Sequence, residues 1–563
     1  MKKRTNLSSI GEICLDHLGV KSTSEINDWF NNSYDGKYII PGMDQFKEIV
    51  NRHKQSPIRI MGDYDVDGVS ATFIMYKALT EYGCEDVSYR TPKRFSEGFG
   101  LSKQMIDEVP EGSLIITVDN GIAAVDTVDY AKKRGCTVII TDHHEPVVEN
   151  GRIVLPKADL IIDPKAGMPG YTYDGYCGAG IAYKIAVSLI GEKKGQQFLP
   201  LTAIATVADV MELREENYVF VRNGLRIMPD TKNPGLKALL NRLGLNDHIS
   251  ETDIGFKIAP ALNAPGRLLD HGSMLSVQLL LAPNQNIGKS LSDKVYTLNE
   301  ERKHQVSLAM KSANESLIEA ENLINVVYVP EINEGVIGIV AGKLCESTKR
   351  PAIVLTDGTE KDILKGSARA PENISIKQIL DQAASEIIRH GGHAGAAGLS
   401  IEKSKLESFK KAVNDSAAAS GYKPTEEDET SFDIEISEED ITRSLEEVEK
   451  YSPFGQGNEP VLVKVNNFHV IPRNKVYKAL AGVDGIKLLG ADATAIGFEM
   501  AEKMADVEKP TVVNLVGTLS THYFMGKKSA QIDFIDYEVV EKADDEANTP
   551  FKDAIATMAA MRK

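Results

Sequence analysis

Residues 59–70 read Arg59-Ile60-Met61-Gly62-Asp63-Tyr64-Asp65-Val66-Asp67-Gly68-Val69-Ser70. The run from Pro57 to Met61 predicts a short buried strand, and Ala71 to Thr80 predicts the helix after it. Between them lie three carboxylates at alternating positions and a glycine. Alternate side chains of an extended segment share one side, so Asp63, Asp65 and Asp67 are expected to point together. Like charges gathered at the carboxyl end of a strand repel one another unless a cation offsets them. Hard oxygen donors favour Mg²⁺ or Mn²⁺. Taken alone, the same residues also suit a solvated acidic turn that caps a helix.

From residue 57 to about 210 strand and helix alternate. Predicted strands are 58–61, 87–90, 114–118, 137–141 and 159–162, with helices such as 121–134 and 179–189 between them. This alternation gives an α/β fold with a largely parallel sheet covered on both faces. Ligands of such sheets bind beyond the carboxyl ends of the strands. Chemistry-bearing residues recur at those ends. Leu114–Val118 runs into Asp119-Asn120-Gly121, and Thr137–Thr141 runs into Asp142-His143-His144. Asp209 stands alone in the apolar run 205–210. An Asx-Gly pair is ordinarily a turn and a lone Asp ordinarily a cap. Acid or histidine at the ends of three buried strands, with Asp209 besides, points instead to one cleft.

Composition bounds the rest. The chain has 563 residues, 42% hydrophobic and 26% charged, enough for three or four domains of about 150 residues each. Its 64 basic and 81 acidic residues give a net charge of −17, which argues against a broad basic surface but leaves room for a local basic channel. Five widely spaced cysteines (14, 84, 136, 177 and 345) contain no C-x-x-C pair, which fits a reducing, cytoplasmic setting rather than a disulfide framework or zinc ribbon. No apolar run follows the basic start as in a signal peptide, and no window approaches the roughly 18 apolar residues of a membrane span.

In this order, Asp-x-Asp-x-Asp-Gly (63–68), Val118-Asp119-Asn120-Gly121, Asp142-His143-His144 and Ala208-Asp209-Val210 resemble the DHH phosphoesterase superfamily. Within it, further segments resemble the RecJ family of single-strand-specific exonucleases: Leu262-Asn263-Ala264-Pro265-Gly266-Arg267, the run 334–341, Gly366-Ser367-Ala368-Arg369, the run 391–398, and Pro453-Phe454-Gly455-Gln456-Gly457-Asn458-Glu459-Pro460. The likeness runs from about 57 to about 540.

The resemblance implies an order of domains: an N-terminal helical segment (1–56), a parallel-sheet DHH catalytic domain (57–284), a long linking helix (285–325), a second α/β DHH-associated domain that binds substrate (326–423), an oligonucleotide-binding β-barrel domain preceded by an acidic linker (424–540), and a tail (541–563). Short β runs after Pro460 fit such a barrel. There Tyr523, Phe524, Lys527 and Lys528 could stack bases and hold phosphates, or equally be core and turn residues.

The implied activity is metal-dependent 5′→3′ hydrolysis of single-stranded DNA, in repair and recombination, with two Mn²⁺ or Mg²⁺ ions. On this likeness Asp119 bridges the ions. Asp67, His143 and Asp209 hold one; Asp65, with or without Asp63, holds the other. His143 favours Mn²⁺, because imidazole is the softer donor. Members of the superfamily carry a metal-binding His four residues before Asp65. Here that position is Met61, and Asp63 is the candidate replacement. His144 is expected beside the scissile phosphate as the catalytic group. Arg267 is expected on the backbone, and Ser367, Arg369, Gly391, Gly392 and His393 on a nucleotide phosphate. Single-stranded DNA is the expected partner, a single-strand-binding protein or helicase an admissible one, and a membrane none. Two other readings fit the superfamily: a phosphoesterase for short oligonucleotides or cyclic dinucleotides, and an inactive replication-associated scaffold. The added polymer-binding domain argues against the first and the intact acid and histidine set against the second.

Overall fold

The computed structural model describes residues 1–33, 37–98, 100–317, 322–424, 430–478, 484–490, 492–498, 500, 511–524 and 527–542. The acidic run 425–429 and the tail from 543 lie outside them. The chain forms two compact units. One contains Ile39–Asp209 and Ile227–Asp428; the other contains Met1–Tyr38, Val210–Arg226 and Glu429–Lys563.

The larger unit is built on two five-stranded sheets. The first has five parallel strands in the order Val87–Arg90, Ile58–Met61, Leu114–Val118, Thr137–Thr141, Leu160–Ile162. Numbered along the chain that order is 2-1-3-4-5, so the path of the chain reverses between the first and third strands. A crevice opens beyond the carboxyl ends at such a switch point. Asp63 follows the first strand by two residues, and Asp119 directly follows the third. Leu114–Val118 is buried on both faces, as a central parallel strand must be.

The helix after the first strand spans Val66–Tyr82, five residues earlier than its sequence suggests. Val, Gly and Ser make a weak helix start by propensity. Tertiary packing overrides this: every residue from Val66 to Met75 is buried, against the helices Gly178–Ile190 and Leu199–Ala208. Asp65 caps it, its side chain accepting from the N–H groups of Asp67 (3.0 Å) and Gly68 (3.1 Å). The expected extended alternation of Asp63, Asp65 and Asp67 therefore does not occur, because Asp67 sits in the first helical turn.

A 32-residue helix, Gln285–Ser316, precedes the second sheet. It stops short of the expected 325. The second sheet has the order Arg389–Gly392, Ala396–Glu402, Ile363–Arg369, Ala352–Asp357, Asn325–Tyr328, with the helix Ile337–Thr348 packed on it.

The smaller unit carries a seven-stranded sheet; six of its strands follow Pro460, where five or so were expected. Its order is Ile434–Ser437, Leu462–His469, Thr511–Phe524, Lys527–Lys542, Ala493–Phe498, Asp484–Leu489, Ile471–Lys478. Its core joins Val463, Phe468, Leu515 and Phe534 to Ile13, Leu18 and Trp29 of the N-terminal helices. Lys2 and Lys3 pair with Ser431 and Phe432. Lys528 is engaged by Glu449 at 2.7 Å and Tyr523 is exposed, while the side chains of Phe524 and Lys527 lie outside the described residues. Among the described residues no helix is long and apolar enough to cross a membrane.

Candidate metal centre

Two strand ends, one helix start and one helix end meet at His143. Its Nε2 lies 3.1 Å from Asp119 Oδ1, 3.6 Å from Asp67 Oδ2 and 3.6 Å from Asp209 Oδ2. Ligand atoms of Asp67, His143 and Asp209 all lie within 4.8 Å of one another, as do those of Asp119, His143 and His144. Asp209 follows the helix Leu199–Ala208 at its C-terminal end, not at a helix start where a lone Asp ordinarily caps, and its carboxylate joins the cluster instead.

Local structure aims each group. Asp119 adopts φ 62°, the left-handed region that Asp tolerates better than most residues. That turn folds its carboxylate back over the strand ends. The Asn120 amide braces it by donating to the carbonyls of Met61 and Val118, each at 2.9 Å. Asp67 accepts from the N–H groups of Gly178 and Ala179, each at 2.7 Å, at the start of the helix Gly178–Ile190. Glycine at 178 makes room for Asp119: a Cβ there would stand 2.5 Å from Asp119 Cβ, and one of the two would have to shift.

Burial and mutual repulsion shift the acids of this cluster in one direction. Burial, then Asp67, pushes the Asp119 carboxyl well above its ordinary value. Burial and Asp65 raise Asp63 to about 7; burial and Asp67 raise Asp209 to about 8, and raise Asp65 as well. Burial pushes the other way on His143, lowering its imidazole below the ordinary value. Asp63 Oδ1, Asp119 Oδ1 and both ring nitrogens of His143 are buried with no hydrogen-bond partner. Buried polar atoms without partners are costly, and a divalent ion held by Asp119 Oδ1 and His143 Nε2 would satisfy those two acceptors, leaving His143 Nδ1 as the ring's N–H. The donor set therefore fits a hard-to-borderline divalent cation.

The three histidine-motif residues divide their roles. Asp142 is buried and bound on every side, by the N–H groups of Ile122 (2.9 Å) and His143 (2.8 Å) and by His144 Nδ1 (2.7 Å). Burial alone would raise it, but these bonds, His144 first, hold it below the usual range. The bond from Asp142 in turn lifts His144 to about 9, so the half-exposed ring is an imidazolium at neutral pH. Met61, where the superfamily's extra histidine would stand, packs in the core with Leu101, Met105 and Ile115. Asp63 and Asp65 lie outside the two tight ligand groups, though both act on the Asp119 carboxyl.

On the second sheet the predicted residues fall in two cross-strand rows. Ser367 pairs with Gly398, which pairs with Gly391; Arg369 pairs with Ala396, whose carbonyl accepts from the His393 N–H at 2.9 Å. Gly392 pairs with Ala397 between the rows. Arg369 Nη1 donates to Ser367 Oγ at 3.2 Å. Arg267, expected on the backbone, lies at the end of the helix Ala259–Leu268. Burial, then Arg94, lowers its guanidinium to about 10.

Sequence reasoning missed four participants. Gly178 and Ala179 hold Asp67, and the Gly-Ala-Gly opening of a helix was the available signal. Tyr64 lies between two of the aspartates with the Arg94 guanidinium 4.6 Å from its ring centre. Nothing in the pattern around Arg94 marks it.

A parallel sheet with this acid–histidine centre and a second α/β lobe defines a protein of the DHH class. Residues 57–210 match the model of the DHH family, N-terminal domain; residues 323–419 match the DHHA1 domain and residues 432–536 the RecJ OB domain. The chain is 33% identical over 528 residues to the single-stranded-DNA-specific exonuclease RecJ of Bacillus subtilis, covering 91% of this chain and 65% of that protein. It is 33% identical over 407 residues to the RecJ of Salmonella typhimurium, covering 66% and 68%. A crystal structure of exonuclease RecJ bound to manganese superposes with a TM-score of 0.60 at 28% identity, over 69% of this chain and 97% of that one. The chain belongs to the RecJ family, and spans about two thirds of the length of these curated relatives.

Proposed function

We propose that this chain is a single-stranded-DNA-specific 5′→3′ exonuclease that hydrolyses phosphodiester bonds with two Mn²⁺ or Mg²⁺ ions. The observation that carries the reading is the convergence of Asp67, Asp119 and Asp209 on His143 Nε2, a buried ring nitrogen without a hydrogen bond. The names and the manganese of the relatives support it.

In this reading Asp67, Asp119, His143 and Asp209, together with Asp65, with or without Asp63, would hold the divalent ions, whose chemistry would be a nucleophile at neutral pH and relief of charge on the phosphate. His144, held as an imidazolium by Asp142, donates to the scissile phosphate and orients it. Arg267 and Arg94 grip the backbone. Ser367 and Arg369, with the Gly391-Gly392-His393 loop, hold the terminal phosphate through charge-assisted and backbone N–H bonds. The OB domain holds the strand further along, which favours a polymer over a dinucleotide. The division into catalytic, phosphate-gripping and strand-holding domains, a cytoplasmic setting, a role in repair and recombination, and a single-strand-binding protein or helicase as partner belong to the same proposal.

Incubation with end-labelled single-stranded and duplex DNA in Mn²⁺ or Mg²⁺, with product sizing, tests it. Mononucleotides released from the 5′ end of single strands alone are expected. Cleavage of dinucleotides without cleavage of longer strands would overturn it.

A further inference from the structure

Arg94 lies on an irregular loop, and one carboxylate determines where that loop sits. Asp270 Oδ1 accepts from the N–H groups of Phe95 (2.8 Å) and Ser96 (3.0 Å). Its Oδ2 accepts from the Ser96 hydroxyl at 2.6 Å, and its carbonyl accepts from the Arg94 N–H at 2.9 Å. Asp270 is three residues beyond Arg267, and the second lobe holds that same segment. Asn333 Nδ2 donates to the Leu268 carbonyl at 3.2 Å, and Arg267 Nη1 donates to the Gly335 carbonyl at 3.4 Å. Gly335 lies so close that a Cβ there would stand 1.8 Å from the Arg267 carbonyl oxygen.

We propose that Asp270 is a positioning residue for substrate binding, fixing Arg94 over Tyr64 so that Arg94 and Arg267 meet the phosphate backbone as a preformed pair. The two guanidinium groups oppose each other's charge, so they do not gather unaided. Asp270 brings them together while directing its carboxylate to backbone N–H and a hydroxyl. Among the described residues no carboxylate pairs with the Arg94 guanidinium, which leaves its donors for phosphate. A preformed pair also removes the cost of ordering a loop on binding. The identity of the substrate rests on the nuclease reading above; the clamp itself does not.

A double-mutant cycle tests the clamp, using the full chain without added metal and a 5′-phosphorylated 20-mer of thymidylate, with Kd read by fluorescence anisotropy. Asp270→Ala and Arg94→Ala should each weaken binding about tenfold, and the double variant should bind no more weakly than Arg94→Ala alone, because one residue acts through the other. Asp270→Asn, whose amide oxygen can still accept both N–H bonds, should stay within about threefold of wild type. In steady-state cleavage KM should rise with kcat little changed, and Mn²⁺ affinity should not move. Multiplicative losses in the double variant, an unchanged Kd in Asp270→Ala, or lost Mn²⁺ affinity would overturn the proposal. Should Asp270→Ala fail to fold, the cycle is run with Ser96→Ala, whose effect must likewise vanish in the Arg94→Ala background. Failure of the nuclease reading shows separately, as a wild-type chain that binds the oligonucleotide and never shortens it.

Discussion

The Gly178 N–H lies 2.7 Å from Asp67 Oδ2, and the Ala179 N–H lies 2.7 Å from Oδ1 of the same carboxylate. Asp67 is therefore part of the fold as well as of the acid cluster, whereas Asp119 Oδ1 accepts no hydrogen bond. The two residues should respond differently to substitution. Asp67→Ala and Asp119→Asn should both abolish cleavage. Without metal, Asp67→Ala should lose about 1–3 kcal/mol, because two buried N–H groups are orphaned. Asp119→Asn should be as stable as wild type or more so, because burial and Asp67 already disfavour the charge that the amide lacks. Chemical denaturation in EDTA measures both, and equal destabilisation by the two substitutions would contradict the assignment.

Gly178→Ala adds a single methyl group where Asp119 already stands, at 2.5 Å. Overpacking of this kind typically costs about 1–3 kcal/mol, and here the shift falls on a proposed metal ligand. The expected result is a chain that folds, by circular dichroism, but binds Mn²⁺ at least about tenfold more weakly by calorimetric titration. Wild-type Mn²⁺ affinity would show that the helix start does not set the position of Asp119.

The raised carboxyls give a pH signature. A group whose folded value exceeds its unfolded one contributes stability that is lost as pH rises through the folded value. Asp63 at about 7 and Asp209 at about 8 act in this sense, and so does His144 at about 9. Without metal, Tm should therefore fall between about pH 6 and 9. Saturating Mn²⁺ should flatten that slope, and its stabilising effect should grow with pH because protons compete with the ion. Scanning calorimetry across this range, with and without Mn²⁺, provides the check. A metal-free Tm that rises over the interval would refute the cluster's electrostatics.

Arg369→Ala should raise KM about ten- to hundredfold on single-stranded DNA, the loss of a charge-assisted contact of roughly 1.5–3 kcal/mol, with Mn²⁺ binding intact. Arg369→Lys should recover only part of this, since it keeps the charge and loses the fork that also reaches Ser367. Steady-state kinetics and Mn²⁺ titration on both variants decide it; lost Mn²⁺ affinity in Arg369→Ala would remove the separate phosphate grip.

Much of the centre was legible because apolar strands ending in Asp119 and Asp142-His143-His144 announce both the sheet and its business end. The path through Asp63, Asp65 and Asp67 was not. An alternating acidic run before a helix is equally compatible with extended chain and with a capped first turn, and the choice is made by the helix Gly178–Ile190, more than 100 residues away in sequence. Arg94 escaped for a similar reason: its position depends on Asp270, 176 residues further along. The packing of Ile13, Leu18 and Trp29 with Phe468 and Phe534 is likewise invisible to any local pattern.

Trp29 is this chain's one tryptophan, and it is 5% exposed, edge-on to Tyr218 at 5.7 Å, in the core shared with the C-terminal strands. Its emission therefore follows the smaller unit and is silent about the acid–histidine centre. Far-UV circular dichroism is weighted instead by the helices Val66–Tyr82 and Gln285–Ser316, which belong to the larger one. Read together in a urea titration, the two signals are separate optical reporters for the two units: coincident midpoints mark a single cooperative transition, and split midpoints resolve the stability of each.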